Sequence, residues 1–158
     1  MGILNLAPDS FYDGKKYTTP LLLEEKLKTF THSDIIDVGA ESSRPGALPI
    51  SSNEEIKRIE LLLPLISQNI SPQLSIDTYK PKTALFALQN GFNIVNDITG
   101  GKSAEMLDIV VDYGAKIILM HMQGLPKTMQ DNPLYNNVIE DIIAFFEERC
   151  EYAIKAGI

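Results

Sequence analysis

A chain of 158 residues, 44% hydrophobic and 22% charged, has the makings of one folded domain, which excludes a disordered or low-complexity protein. The formal net charge of −7 argues against a general nucleic-acid binder, which carries a basic face, although a basic anion pocket can sit inside an acidic protein. A single cysteine, Cys150, excludes an internal disulfide framework and suits a reducing compartment, and no apolar run approaches the roughly 20 residues that span a bilayer.

In chain order, Met1-Gly2-Ile3 has no basic segment followed by an apolar one, and Leu6 stands where a myristoylation motif needs Ser or Thr. A cytoplasmic protein with no membrane or nucleic-acid partner is therefore expected. The first predicted strand is Ile3-Leu4, ending at Asn5. A helix is predicted over residues 21–30, with Leu22, Leu23, Leu27 and Phe30 at helical spacing. The second strand, Ile35-Ile36-Asp37-Val38, opens into a Gly/Pro/Ser loop over 39–52. The next helix, 53–67, carries Ile56, Ile59, Leu62, Leu63 and Ile66, with Ser52 or Asn53 as its cap.

Leu74-Ser75-Ile76 is the third strand, and a helix over 81–90 starts at Pro81 and ends before Gly91. Ile94-Val95 and then a helix over 104–113, closed by Gly114, form the fourth unit. The fifth is Lys116-Ile117-Ile118-Leu119-Met120, a long loop over 123–137, and a helix over 138–156. On that last helix Cys150 is expected to pack with Phe146 and Ile154.

Short Ile/Val runs suit strands buried on both faces, and strict βα alternation gives a parallel sheet with right-handed crossovers. A dinucleotide-binding sheet needs a glycine-rich turn after its first strand, but Asn5-Leu6-Ala7-Pro8-Asp9 stands there. Polar residues follow every strand, as a (β/α)8 TIM-type barrel requires. The expected fold is α/β, with residues 1–158 forming a single barrel domain of about five βα units, cut off before the last three of a barrel of roughly 250 residues.

The strand-end groups are Asn5, Asp37 with Glu41, Asp77, Asn96 with Asp97, and His121. Amides and carboxylates at one mouth suit an amino-pyrimidine ring, which alternates donors and acceptors. Asp77 alone could equally be a cap for the helix at Pro81. Arg44, beside Ser42 and Ser43, suits bidentate anion recognition. His121 is read as a structural histidine supporting its loop, and His32 as a solvated one. No HxxEH, CxxC or P-loop pattern occurs, which argues against a tightly held protein metal site.

Five blocks in order resemble the dihydropteroate synthase family. They are Gly2-Ile3-Leu4-Asn5-Leu6-Ala7-Pro8-Asp9-Ser10-Phe11 with Asp13-Gly14; Ile36-Asp37-Val38-Gly39-Ala40-Glu41-Ser42-Ser43-Arg44-Pro45-Gly46; Ser75-Ile76-Asp77-Thr78; Val95-Asn96-Asp97-Ile98; and Met120-His121-Met122-Gln123-Gly124 with Pro126-Lys127-Thr128-Met129-Gln130. The resemblance implies a transferase of folate biosynthesis, in which 4-aminobenzoate displaces diphosphate from 7,8-dihydropterin-6-ylmethyl diphosphate. It implies that Asp77 and Asn96 bind the pterin ring, that Met120 is a further substrate-binding residue, and that Ser43, Arg44 and Pro45 lie at the aminobenzoate and anion site. Phe11 and Asp13 would close over the substrates, with Asp13 and Arg44 in catalytic roles, and Asn5 would ligate Mg²⁺ alongside diphosphate.

Ala7 and Ser43 stand where that family usually has Thr. A pterin-dependent methyltransferase of the same barrel type, or a noncatalytic pterin-binding fragment, are the alternatives. Arg44 and the last block speak against the methyltransferase. An open barrel leaves exposed sheet edges, so a homo-oligomer with little turnover of its own is expected.

Overall fold

The computed structural model describes residues 1–7, 20–42, 48–66, 72–124, 128–129 and 132–158. Its elements are β1 (Gly2–Asn5), α1 (Pro20–Lys28), β2 (Ile35–Gly39), α2 (Ser52–Glu60), α3 (Leu63–Ile66), β3 (Gln73–Asp77), α4 (Pro81–Gln89), β4 (Ile94–Asp97), α5 (Ala104–Asp112), β5 (Lys116–Leu119) and α6 (Val138–Ala156). The five strands form one parallel sheet in the order β1-β2-β3-β4-β5. Strand order thus follows chain order without reversal. A doubly wound sheet must reverse at a switch point, so the winding is that of a barrel, and the chain is a partial one.

Side chains alternate across a strand, and the alternation here separates two chemistries. Leu4, Ile36, Val38, Ile76 and Val95 face the helices and are buried with Leu23, Ile59, Leu62, Ala84, Ala87, Met106 and Val110. Each such Leu or Ile contributes about 1.5–3 kcal/mol over an exposed position. The opposite face carries Asn5, Asp37, Ser75, Asp77 and Asn96, whereas Asp97, the last residue of β4, lies buried on the helix side.

Three local features differ from the expectation. The helix over 53–67 is two helices, α2 and α3. Pro64 has no N–H for the Glu60 carbonyl and its ring clashes with that turn, so the helix stops and restarts with Pro64 inside a first turn. The cap of α2 is Ser51, whose hydroxyl accepts from Glu54 N at 3.2 Å, rather than Ser52 or Asn53. Cys150 is exposed, as is Ile154. Along α6, Ile139, Ile143, Cys150 and Ile154 fall on one stripe that no described element covers. Gly91 and Gly114 do follow their helices with positive φ, 92° and 56°.

The β4–α5 connection is the most tightly held loop. The buried Asp97 carboxylate accepts from Thr99 N, Thr99 Oγ1 and Gly101 N, while Arg149 of α6 donates to the carbonyls of Gly100 and Gly101 at 2.8 and 2.7 Å. Asp97→Ala orphans three donors at once and is expected to lower stability by about 3 kcal/mol, read by urea denaturation. A change under about 1 kcal/mol would show that the loop is held by Arg149 alone.

Candidate functional site

Asn5, Gly39, Asp77, Asn96 and Ile118 are Cα partners in an unbroken row across the sheet. All five therefore face the same side, at the carboxyl ends of their strands. Neighbouring strands lie about 4.8 Å apart, so Asn5 and Asn96 bracket roughly 14 Å along the mouth. Gly39 contributes no side chain between Asn5 and Asp77. A Cβ there would lie 3.5 Å from Asp77 Oδ2, so the glycine leaves that carboxylate unflanked.

The row below comprises Ile3, Asp37, Ser75, Ile94 and Lys116. Asn96 Nδ2 donates to Asp37 Oδ2 at 3.0 Å. With its amide nitrogen committed downward, Asn96 keeps its carbonyl oxygen free as an acceptor. Asp37 Oδ1 and Ser75 Oγ are buried and have no hydrogen-bond partner among the described residues. The floor of the site thus retains an acceptor and a hydroxyl without partners.

Asp77 is partly buried, and its carboxyl is pushed up to about 7. Burial is the main cause, followed by the carboxylates of Asp37, Glu55, Glu41 and Asp97. Asp77 does not cap α4: the N-cap is Lys80, which makes no side-chain cap bond. Glu41, Glu55, Asp77, Tyr79 and Ile98 line one small recess. Burial and the Glu41 carboxylate push the Tyr79 hydroxyl up to about 12, so it stays a neutral donor, bonded to Glu41 Oε1 at 3.0 Å.

Asn5 ends β1, and its Oδ1 accepts from Ala7 N at 2.8 Å, which leaves one lone pair of that oxygen. Met120 follows β5 and is partly exposed, with its N–H bonded to the Asp97 carbonyl. His121 packs edge-on against Phe145, ring centroids 4.7 Å apart, and lies 5.9 Å from Tyr135, in keeping with a structural role. His32 is exposed. Gln123 grips Leu134 through both amide atoms, donating to its carbonyl and accepting from its N–H, and so ties together the two ends of the β5–α6 loop. Phe11, Asp13, Ser43, Arg44 and Pro45 lie outside the described residues. No cluster of three His, Cys, Asp or Glu suited to a metal occurs among the described residues, and none of their helices is long and apolar enough to cross a membrane.

Sequence reasoning missed Glu55 and Lys80. Glu55 lies four residues before Ile59 and seven before Leu62, both fully buried, so helical spacing already placed it on the inward stripe of α2.

The family described as pterin binding enzyme matches residues 1–158. Dihydropteroate synthase of Escherichia coli is 38% identical over 160 residues, covering 100% of this chain and 57% of that protein. The solved structure of Yersinia pestis dihydropteroate synthase with a sulfonamide drug complex superposes with a TM-score of 0.90 at 35% identity, over 100% of this chain and 58% of that one. The Burkholderia cenocepacia dihydropteroate synthase complexed with 7,8-dihydropteroate gives a TM-score of 0.80 at 35% identity, over 100% of this chain and 54% of that one. The chain spans a little over half the length of these relatives.

Proposed function

The chain belongs to the pterin binding enzyme family, and from that premise we propose that its site serves dihydropteroate synthesis, in which the amine of 4-aminobenzoate displaces diphosphate from the methylene carbon of 7,8-dihydropterin-6-ylmethyl diphosphate. The observation that carries this reading is the register row: Asn5, Asp77 and Asn96 share one face at one level of the sheet. Asp77 offers a carboxylate to the N–H edge of the pterin ring, and Asn96, oriented by Asp37, offers an oxygen. The unpartnered Asp37 Oδ1 and Ser75 Oγ give the ring further polar neighbours below.

Ser43, Arg44 and Pro45 are assigned to the aminobenzoate and anion side, and Phe11 and Asp13 to the first loop over the substrates, on sequence alone. Arg44 would offset the charge gathering on departing diphosphate. Met120, at the rim beyond β5, would supply apolar contact to the ring. Asn5 would hold Mg²⁺ through the remaining lone pair of its oxygen. A single neutral oxygen from the protein suits a cation whose other ligands are substrate oxygens and water. Bound there, the ion would neutralise diphosphate as it leaves.

Calorimetric titration of the chain with 6-hydroxymethyl-7,8-dihydropterin is expected to show one site in the micromolar range. No heat up to millimolar ligand overturns the pterin reading. Binding of 4-aminobenzoate only when pterin and diphosphate are present supports the synthase, whereas pterin binding alone supports a noncatalytic module.

The exposed apolar residues Ile3 on the mouth face and Ile139, Ile143 and Ile154 on α6, with the outer edges of β1 and β5 unpaired among the described residues, favour self-association. We expect a dimer or larger assembly at micromolar concentration by size-exclusion chromatography with light scattering. A compact monomer there overturns this expectation.

A further inference from the structure

Below the rim of the site, on the helix side of the β3 end, charges from three elements meet. Glu41 leaves β2, Glu55 sits on α2 and Lys80 immediately precedes α4. The Lys80 ammonium pairs with Glu41 Oε2 and lies 3.3 Å from Glu55 Oε1, with side-chain exposures of 14%, 12% and 1% for Lys80, Glu41 and Glu55. We propose that Lys80 is a positioning residue: by joining Glu41 to Glu55 it fixes the turn after β3 and so holds the Asp77 carboxylate toward the mouth. For its ligand the inference rests on the pterin reading above.

The contacts run through every residue of that turn. Thr78 Oγ1 lies 3.3 and 3.4 Å from the two Glu55 oxygens and accepts from Lys80 N at 3.2 Å. Thr78 N donates to the Asn96 carbonyl at 3.1 Å, which links the turn to the neighbouring strand end. Tyr79 is held through its hydroxyl on Glu41, and its ring lies 4.8 Å from the Lys80 ammonium. Glu55 is held in turn by Thr83 Oγ1 at 2.5 Å, and Glu41 accepts from Ile50 N at 3.0 Å.

The helix that follows supplies no substitute. Its N-cap residue makes no side-chain cap bond, so the turn takes its shape from the two glutamates and the cation between them. An ammonium presents three donors around one compact charge and can serve two carboxylates arriving from different directions, which a planar guanidinium fork does less well. Without that cation, two largely buried carboxylates would face each other across the turn, and the shortest route to relief is to swing the 78–80 backbone, and Asp77 with it, outward.

The test compares the whole chain with Lys80→Met and with the double variant Lys80→Met/Glu55→Gln, which removes the charges as a pair and keeps an acceptor for Thr78 and Thr83. Urea unfolding reads stability, and titration with 6-hydroxymethyl-7,8-dihydropterin reads the site. Lys80→Met is expected to lose both stability and at least about tenfold in pterin affinity. The double variant is expected to regain most of the stability, since paired removal of buried charges is often close to neutral, while its affinity stays at least about fivefold low. Affinity that recovers along with stability overturns the positioning role and leaves only a structural one. Should the unaltered chain take up no pterin, the functional reading fails by itself. Lys80 is then judged from the backbone amide resonances of Asp77 and Thr78 in the folded double variant: displacement supports the proposal, and unchanged positions overturn it.

Discussion

Asp77→Asn is expected to make the chain more stable and nearly unable to bind a pterin. Its carboxyl sits at about 7 in the folded chain against an ordinary 3.8, raised first by burial and then by four neighbouring carboxylates. A group with a raised folded pKa holds its proton more tightly when folded. Its contribution is therefore fully favourable below about pH 4 and is lost as pH rises through about 7. Near pH 8 the ionised carboxylate opposes folding, and the amide does not. After discounting for its partial exposure at the mouth, the gain is about 2 kcal/mol, or a melting point higher by roughly 4–8 °C. It should shrink as pH falls and vanish below about pH 3, where the wild-type group is neutral in both states.

Binding moves the other way. The asparagine offers one acceptor where the ionised carboxylate offers two, at a cost of about 2.7 kcal/mol, close to a hundredfold in affinity. In the unaltered chain, affinity for a neutral pterin should fall about tenfold per unit as pH drops below about 7. Paired melting and titration experiments across that range check both halves. A variant that binds normally, or a wild-type affinity indifferent to pH, would remove Asp77 from the site.

Glu55→Ala is expected to have the largest effect on folding, a loss of about 3–5 kcal/mol. The carboxylate is 1% exposed, and burial raises its pKa despite the opposing bond from Thr83 and the charge of Lys80. Alanine leaves the Thr78 and Thr83 hydroxyls and part of the Lys80 charge without a partner in a space water does not readily fill. Glu55→Gln keeps an acceptor for both threonines and should lose less than half as much. Urea titration of the two variants separates the lost bonds from the lost charge, and equal losses would show that charge alone matters.

The five strands were legible because a strand covered on both faces is a short Ile/Val run whatever its surroundings, and polar residues mark each mouth end. The barrel winding was legible from the absence of a glycine-rich first turn, and the sheet order bears it out. The sequence of α6 shows which of its faces is apolar but not whether anything lies against that face, which is why Cys150, at packing spacing from Phe146 and Ile154, is nonetheless exposed. Pro64 marks the break between α2 and α3 in the chain itself, but the run of apolar positions around it has the spacing of one continuous helix. The bond from Asn96 to Asp37 joins residues 59 apart and depends on strand register, which no local pattern encodes. Lys80 and Glu41 meet across 39 residues, and each alone reads as a solvated charge.

Because each strand lies beside the one made just before it, a ribosome delivers this sheet in assembly order. Each strand after β1 leaves the exit tunnel to find its partner already waiting, with one or two helices of slack between them. Growth then proceeds at a single edge, and the nascent chain never has to insert a strand between two others. While these five strands assemble, none of them covers the other edge of β1, which makes that edge the place where a chaperone would have most to shield.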